Sequence, residues 1–258
     1  MTAARHPIQT AVILAAGMGT RLGKLGTEIP KGFLKLGDKP IIEESIDKLV
    51  AIGVKRVVIV TGHLASSYRE LAARRAGLIE TVQNPRYADS GSYYSLWLAL
   101  DHLAAANHAG SFLLLESDLV YEPRALEEVM ADPHEDVILL SGPTGSGDEV
   151  WVETDDDGWL VTMSKDRSRL GAEVAGELVG ITRVSPALAE ELRRHGENLL
   201  ARFPKAEYET GGLVEVAARR PVHCRRVDGL VWAEIDDENH LARARRMLRQ
   251  GLMWEGCV

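Results

Sequence analysis

The stretch TAVILAAGMGTRL, which occupies residues 10–22, decides the fold of this 258-residue chain. Its first seven residues form an apolar run of the length of a buried β-strand, and Gly17 and Gly19 follow at once. Glycines in such a turn allow backbone N–H groups to approach an anion closely. In an open α/β sheet, ligands bind outside the carboxyl ends of the strands. We therefore predict a phosphate-binding loop after the first strand.

Apolar runs of strand length alternate with helix-period segments over the rest of the first half. Predicted strands cover residues 56–61, 79–83 and 112–116, and predicted helices cover residues 42–50, 66–76 and 93–103. Pro123 then opens another helix, at a position where its missing N–H costs nothing. This alternation is typical of βαβ units and predicts an α/β fold with a mostly parallel central sheet.

The second half of the chain has a different pattern. Its predicted strands cover residues 149–154, 159–165, 177–184 and 221–227. The first two flank the turn residues 155–158, Asp-Asp-Asp-Gly, and this arrangement predicts a hairpin. Asp237 is placed to cap a last amphipathic helix. Because no linker or repeat interrupts the chain, we predict one domain over residues 1–258 with a small antiparallel lobe at about residues 142–185.

Charge and hydropathy exclude several classes of partner. Lys and Arg number 30 against 38 for Asp and Glu, a net charge of −8, which is opposite to the basic surface of a nucleic-acid binder. Residues 1–10 contain one arginine and no apolar core segment, and no run approaches the roughly 18 apolar residues of a membrane span. We expect no nucleic-acid partner, no membrane partner and a cytoplasmic protein.

Two common nucleotide-binding loops do not match the residues after the first strand. The pattern GxxxxGK[ST] is absent from the sequence, and the third glycine of a GxGxxG fingerprint falls one residue late, at Gly23. What remains is Gly-x-Gly-Thr-Arg at residues 17–21, followed by Pro30-Lys31. The guanidinium of Arg21 suits bidentate contact with phosphates, and the ammonium of Lys31 supplies a point charge near a phosphoryl centre.

Further segments accompany this loop. They are NPRY at 84–87, GSYYSL at 91–96, LESDL at 115–119, SGPTGSGDEVWVE at 141–153, MSK at 163–165, GELVGI at 176–181 and WAEIDDE at 232–238. Together with the loop they resemble the sugar-phosphate nucleotidyltransferase superfamily, its phosphocholine cytidylyltransferase-like branch, and 2-aminoethylphosphonate cytidylyltransferases in particular. The resemblance covers about residues 10–246 and implies a Rossmann-like three-layer nucleotidyltransferase fold.

The resemblance implies a CTP site built largely from the loop after the first strand. The implied nucleotide-binding residues are Leu14, Ala15, Ala16, Gly17, Gly19, Thr20, Arg21, Lys31, Ser90, Ser92, Ser95 and Glu116. Arg21 would hold the β and γ phosphates, and Lys31 would hold the α phosphate while charge builds in the transition state. Lys165 would reach the acceptor, so Arg21, Lys31 and Lys165 are the expected catalytic residues.

Three carboxylates are expected to bind a metal. Asp118 follows a buried strand at its carboxyl end, and Glu234 and Asp236 occupy alternate positions of another expected strand, so both point to one face. Hard oxygen ligands suit Mg²⁺. The resemblance implies Asp118 and Asp236 as Mg²⁺ ligands and Glu234 as a third, whereas the alternative is that Asp236 or Asp237 only caps the last helix.

The residues alone leave the acceptor open. A quaternary ammonium group is best held over aromatic faces, whereas a primary ammonium needs carboxylates or other hydrogen-bond acceptors. The candidate acceptor-binding residues include both kinds and are Asp148, Glu149, Trp151, Lys165, Glu177 and Trp232. Only the resemblance favours 2-aminoethylphosphonate.

The expected function is a Mg²⁺-dependent enzyme that converts CTP and 2-aminoethylphosphonate to CMP-2-aminoethylphosphonate and pyrophosphate, in phosphonolipid or phosphonoglycan biosynthesis. Phosphocholine, 2-hydroxyethylphosphonate and sugar or inositol phosphates stay open as acceptors. A non-catalytic nucleotide-binding module would not need Arg21, Lys31, Asp118 and Asp236 together, and a nicotinamide dehydrogenase would need a different glycine spacing. A homodimer is one of the oligomeric states that the sequence leaves open.

Overall fold

The apolar run that opens the sequence forms strand β1, Thr10–Ala15, which lies inside the central sheet. The computed structural model describes residues 7–249. The other strands are β2 Arg56–Thr61, β3 Ile79–Gln83, β4 Phe112–Glu116, β5 Leu119–Tyr121, β6 Val137–Ser141, β7 Trp151–Thr154, β8 Leu160–Ser164, β9 Gly176–Val184, β10 His223–Val227 and β11 Trp232–Glu234. The α-helices are α1 Gly23–Glu28, α2 Ile41–Ala51, α3 Ala65–Arg74, α4 Ser92–Ala105, α5 Arg124–Ala131, α6 Pro186–Leu200, α7 Val214–Ala217 and α8 Glu238–Arg249. Within residues 7–249, no helix combines the length and the apolar character needed to cross a membrane.

The central sheet has the strand order β10-β6-β9-β4-β1-β2-β3, and the β7–β8 hairpin joins it through β9. Strand β1 runs parallel to both of its neighbours, and β2 with β3 and β6 with β10 are also parallel pairs. Strand β9 is antiparallel to both β4 and β6. The prediction of a mostly parallel sheet is therefore confirmed.

Helices cover both faces of this sheet because successive side chains of a strand point to opposite faces. Val12 and Leu14 of β1 belong to a core shared with α4 and α6, whereas Ile13 belongs to a second core shared with α2, α3 and α5. Burying one such side chain contributes about 1.5–3 kcal/mol relative to leaving it exposed. A strand with two apolar faces is thus stable only between two helical layers, which is the predicted three-layer arrangement.

A second, two-stranded sheet pairs β5 with β11 in antiparallel fashion. Just beyond it, the Ile235 N–H donates to the Asp118 carbonyl oxygen at 3.1 Å. Ile235 also joins Leu22, Val120 and Leu241 in a third small core. This sheet therefore ties the end of the chain's last strand, and helix α8 after it, to the turn between β4 and β5.

Several features add to or differ from the sequence predictions. Strand β11 ends at Glu234, so Asp236 lies beyond the strand rather than at an alternate position within it. Helix α6 and a π-helical turn, Tyr208–Leu213, occupy a region where no element was predicted. Residues 142–185 form the antiparallel strands β7, β8 and β9 as predicted, and because β9 passes between β6 and β4 this region is continuous with the central sheet. The predicted single domain over residues 1–258 extends beyond the described residues at both ends and stays a prediction.

Candidate active site

A cleft of about 690 Å³ opens at the carboxyl ends of β1 and β4. The backbone N–H of Ser117, just past β4, donates to the Leu14 carbonyl oxygen of β1 at 3.1 Å and keeps the two strand ends together at the floor of the cleft. The residues that the sequence predicted for the site and that line this cleft are Leu14, Ala15, Ala16, Gly17, Arg21, Lys31, Ser90, Ser92, Ser95, Glu116, Asp118, Lys165, Glu234 and Asp236. The cleft thus collects residues from most of the length of the chain.

The loop after β1 takes its shape from two glycines. Gly19 adopts a left-handed conformation with φ of 61°, and its carbonyl oxygen accepts the Leu22 N–H at 3.0 Å to start a short 3₁₀ turn, Thr20–Leu22. Gly26 of α1 lies against the same carbonyl, because a Cβ atom at Gly26 would stand 2.1 Å from the Gly19 oxygen. The loop therefore packs directly on α1, and this contact fixes the position of Arg21 at the cleft.

Four carboxylates lie on the floor of the cleft. Glu116 ends β4 and Asp118 follows it, while Glu234 ends β11 and Asp236 follows it. Carboxylate oxygens of Glu116, Asp118 and Glu234 lie within 4.8 Å of one another. Burial, followed by the neighbouring carboxylates, raises the pKa of Glu116 and of Glu234 well above the usual value. The cluster therefore needs positive charge and offers the hard oxygen ligands that a divalent cation prefers.

Lys31 supplies part of that charge. It begins the short 3₁₀ turn Lys31–Phe33 after the extended residue Pro30. Its Nζ atom lies 2.8 Å from Asp118 Oδ2 and also hydrogen-bonds Asp236 Oδ1. Burial opposes the charge on Lys31, but the two carboxylates outweigh burial and raise the pKa of Lys31 above its usual value. Burial likewise opposes the charge on Asp236, and Lys31 with Arg21 outweighs it and lowers the pKa of that carboxyl.

Two further cations meet at the rim of the cleft. The Arg21 guanidinium contacts Asp236 Oδ1 at 2.9 Å and hydrogen-bonds Asp148, and Lys165 Nζ lies 3.2 Å from Asp148 Oδ1. Burial disfavours the charged forms, but Asp148 above all raises the pKa of Arg21 and of Lys165. Both side chains are about half exposed, at 51% and 59%, so they are accessible to an anion that enters the cleft.

An acidic wall, Glu207 and Glu209, faces these cations, and the sequence analysis did not predict it. Glu209 lies in the π-helical turn, a conformation that is often found at functional sites. The Ser92 hydroxyl at the start of α4 donates to Glu207, and its oxygen lies 3.4 Å from Glu209 Oε2. Burial, followed by the nearby Glu207 carboxylate, raises the pKa of Glu209 to about 7. The pair Gly211-Gly212 in this turn is the only local sequence signal, and it indicates a break in periodicity rather than a site.

The MobA-like NTP transferase domain matches residues 11–183, which is more than half of the chain and includes the loop, Lys31, Asp118 and Lys165. The chain belongs to the MobA-like NTP transferase family. The prediction of an enzyme of the nucleotidyltransferase class is thereby confirmed.

Two relatives of this NTP transferase are named for aminophosphonate chemistry. The chain is 36% identical over 164 residues to the CMP-5'-(3-aminopropyl)phosphonate synthase of Streptomyces rubellomurinus, which covers 63% of this chain and 25% of that protein. It is 30% identical over 191 residues to the 2-aminoethylphosphonate cytidylyltransferase of Lancefieldella rimae, which covers 71% of this chain and 70% of that protein. The match therefore spans only a quarter of the first relative's length. The resemblance to cytidylyltransferases of this branch is confirmed.

The fold of this NTP transferase also matches a solved structure, the CTP:phosphocholine cytidylyltransferase of Streptococcus pneumoniae. The TM-score is 0.73 at 20% identity, over 93% of this chain and 100% of that one. At this identity the match concerns the fold alone, and it confirms the predicted nucleotidyltransferase fold.

Some residues predicted for the acceptor site of the NTP transferase do not line the cleft. Trp232 is 5% exposed within the core, and its Nε1–H donates to Ser141 Oγ at 2.7 Å. The Glu177 carboxylate is occupied by the backbone N–H and the hydroxyl of Thr144, at 2.6 and 2.9 Å. Both side chains therefore have structural partners in place of a ligand.

The remaining predicted residues lie near the cleft without lining it. Glu149 accepts the Gly147 N–H at 3.2 Å, and Trp151 opens strand β7. Asp148 reaches the site only through its contacts with Arg21 and Lys165. Gly19 and Thr20 shape the loop but do not line the cleft.

Proposed function

We propose that this NTP transferase is a Mg²⁺-dependent cytidylyltransferase that converts CTP and 2-aminoethylphosphonate to CMP-2-aminoethylphosphonate and pyrophosphate. One observation carries the proposal: a single cleft lined by the cations Arg21, Lys31 and Lys165 also contains a buried carboxylate cluster and, beside it, the acidic wall. Two polyanions and one ammonium group must meet in this reaction, and each has oppositely charged side chains within the cleft.

The carboxylate cluster fits a divalent cation. The raised pKa values of Glu116 and Glu234 indicate that the buried carboxylates lack sufficient compensating charge. Asp118, Asp236 and Glu234 would hold Mg²⁺, as the sequence resemblance implies. When bound, Mg²⁺ neutralises charge on the phosphates and on the leaving pyrophosphate.

The cations of the chain would bind and orient CTP. Arg21, about half exposed at the rim, is positioned for the β and γ phosphates. Lys31 now contacts Asp118 and Asp236, and it would turn toward the α phosphate, where negative charge builds as a phosphonate oxygen attacks and pyrophosphate leaves. Lys165 would hold the attacking phosphonate, because it directly follows strand β8 and lines the cleft beside Arg21.

The acidic wall favours a primary ammonium group on the acceptor. The aromatic side chains that line the cleft among the described residues are Tyr68 and Tyr87, and Tyr68 is only 1% exposed. An aromatic cage for a quaternary ammonium is therefore not assembled from the predicted tryptophans. Glu207 and Glu209 instead offer carboxylates that can accept hydrogen bonds from –NH₃⁺.

An assay of pyrophosphate release tests this proposal, with each of the four NTPs combined with each acceptor. The acceptors are 2-aminoethylphosphonate, phosphocholine, 2-hydroxyethylphosphonate and sugar and inositol phosphates. The highest kcat/KM is expected for CTP with 2-aminoethylphosphonate in the presence of Mg²⁺. A preference for UTP, for a sugar phosphate or for phosphocholine would refute the proposed substrates.

A pair of aspartate variants tests the metal assignment. Asp118→Asn should still fold, because Lys31 keeps its pair with Asp236, and should lose nearly all pyrophosphate release, because it removes a charged oxygen ligand from the cluster. Asp101→Asn changes an exposed carboxylate of α4 and should keep full activity. Equal activity of the two variants would refute the role of Asp118.

A further inference from the structure

A second cluster of metal-ligating side chains lies away from the cleft. Among residues 7–249, two groups of carboxylates and histidines bring their ligand atoms within 4.8 Å, and the second consists of Asp132, His134 and His223. Asp132 follows helix α5, and His223 begins β10, where it pairs with Val137 at the start of β6. Strands β6 and β4 run in the same direction, because both are antiparallel to β9. The cluster therefore lies at the amino ends of strands whose carboxyl ends face the cleft side of the sheet.

Both imidazoles direct the same ring atom toward one buried carboxylate. Asp132 Oδ1 lies 2.8 Å from His134 Nδ1, and Asp132 Oδ2 lies 3.2 Å from His223 Nδ1. The Asp132 side chain is 1% exposed, whereas those of His223 and His134 are 16% and 33% exposed. Two ring nitrogens therefore lie close to the two oxygens of one carboxylate, and this group is partly exposed to solvent on the His134 side.

Hydrogen bonding leaves this arrangement incomplete. Asp132 Oδ1 accepts both the backbone N–H of His134, at 2.9 Å, and its ring Nδ1. His223 Nδ1 is buried, and its 3.2 Å contact with Asp132 Oδ2 does not meet hydrogen-bond geometry. A buried ring nitrogen whose contact is poorly aligned needs an explanation. Coordination of a cation would provide such an explanation, and it would also use the neighbouring side chains of Asp132 and His134.

We propose that Asp132, His134 and His223 form a zinc(II) site that is separate from the active site. Imidazole nitrogen together with a carboxylate oxygen suits zinc, whereas magnesium prefers oxygen ligands alone. Three protein ligands leave a fourth tetrahedral position for water, and the exposure of His134 gives water access to it.

Zinc binding requires a change in the arrangement of the two imidazole rings. The two imidazoles stack with centroids 3.8 Å apart and planes inclined at 28°. A metal lies close to the plane of each ring that binds it, so the stack must open as zinc binds. His134 is the more exposed ring, so we expect this ring to rotate, and Trp159 packs edge-on against both rings.

Such a site would link three parts of the fold that are distant in sequence. Asp132 and His134 lie between α5 and β6, His223 begins β10, and Trp159 belongs to the turn of the β7–β8 hairpin. Gly158 in this turn lies so close that a Cβ atom would stand 3.1 Å from His223 Nε2. We expect bound zinc to stabilise these contacts through its preference for the folded chain.

Zinc titration of the metal-stripped full chain tests the proposal, with free zinc followed by a chromogenic chelator. The Asp118→Asn variant is used as the background, so that metal binding at the active site is weakened. We expect one tightly bound zinc, and His223→Gln and His134→Gln should each bind it at least about tenfold more weakly. His108→Gln changes a histidine outside both clusters and should bind zinc as the background does.

Cobalt(II) supplies a spectroscopic readout that does not depend on catalysis. A tetrahedral site with nitrogen and oxygen ligands should give intense visible absorption bands in the background variant, and His134→Gln should lose these bands. Circular dichroism of the metal-stripped variants checks that each one folds. Equal zinc affinity in the background and in both histidine variants, or no zinc bound by the background, would overturn the proposal.

Discussion

Replacing Lys31 by methionine removes the one ammonium group that lies between Asp118 and Asp236 while it keeps an unbranched apolar stem. The side chains of Lys31, Asp118 and Asp236 are only 18%, 8% and 4% exposed. Breaking a buried ion pair by removing one partner costs about 3–5 kcal/mol, because the other charge is left uncompensated. At roughly 2–4 °C per kcal/mol for a chain of this size, the Tm of the metal-free variant should fall by about 6–20 °C.

The pH at which this loss is measured follows from the pKa shifts. The pKa of Lys31 lies above its usual 10.5 and that of Asp236 below its usual 3.8, so the pair is charged in the folded state throughout the interval between these values. The stabilisation from Lys31 is complete below its unfolded pKa and is lost as the pH rises through the folded one, and that from Asp236 is complete above its unfolded pKa. Neutral pH lies inside both ranges.

Thermal unfolding with and without Mg²⁺, together with pyrophosphate release, separates the two roles of Lys31. Mg²⁺ should restore most of the lost stability, because a divalent cation can compensate the same carboxylates. Turnover should stay about 10²–10³-fold below the parent, the cost of losing a preorganised charge at the transition state. Lys39→Met removes a surface lysine that is 60% exposed and pairs with Asp47, and it should change neither quantity measurably. Equal Tm values for the two lysine variants would refute the buried role, and full turnover of Lys31→Met would refute contact with the α phosphate.

Three further substitutions test separate parts of the site. The pKa of Glu209 is raised from its usual 4.5 to about 7 in the folded state, so ionising it lowers the free energy of unfolding as the pH rises through this interval. Urea unfolding should therefore show a smaller loss of stability between about pH 5 and pH 8 in Glu209→Gln than in the parent. Parallel pH profiles of the two proteins would contradict this. Gly26→Ala should destabilise the chain by about 1–3 kcal/mol and raise the KM for CTP, because its Cβ would stand 2.1 Å from the Gly19 oxygen. In the control Gly142→Ala, the added Cβ meets no atom within 4 Å, so the KM should stay unchanged. Arg21→Lys keeps the charge but loses bidentate contact, so we expect steady-state kinetics to show a KM for CTP about 10–100-fold higher, and an unchanged KM would exclude Arg21 from phosphate binding.

Much of the parallel part of the fold could be predicted because strands such as β2 and β4 are buried on both faces and carry apolar runs, while the edge strand β3 is bounded by clear turn residues. Strand β2 at Arg56–Thr61 and strand β3 at Ile79–Gln83 have the predicted bounds, and β4 at Phe112–Glu116 does as well. Helix α6 has the amphipathic pattern and the Ser185 cap of an ordinary helix, with Ser185 Oγ accepting the Leu188 N–H at 3.1 Å, so it was predictable and was missed. The π-helical turn has no such periodic signal.

The site was predictable where its residues follow a strand end and unpredictable where tertiary contacts decide their use. Asp118 was identified from its place after a buried strand, and Lys31 from the Pro30-Lys31 pair downstream of the glycine loop. Trp232 and Glu177 carry side chains of the right chemistry, but the buried hydroxyl of Ser141 and the Thr144 backbone occupy them. The sequence shows which hydrogen-bonding side chains are available, but it does not show which neighbour in the folded chain will bond to each of them.

The smallest element of the fold is the one that assembles the candidate metal site. Strand β5 has three residues, too short for a periodic pattern to reveal it, and strand β11, which was expected to reach Asp236, ends at Glu234. Their pairing places Glu234 opposite Leu119 and brings the Ile235 N–H to the Asp118 carbonyl oxygen, so carboxylates more than 100 residues apart meet on one floor. Since Lys31 then contacts both Asp118 and Asp236, the two-stranded sheet also decides where that cation lies before any substrate enters. The carboxylate cluster therefore depends on the pairing of β5 with β11, which the local sequence does not reveal. The motifs around residues 118 and 236 form the site only when this pairing brings them together.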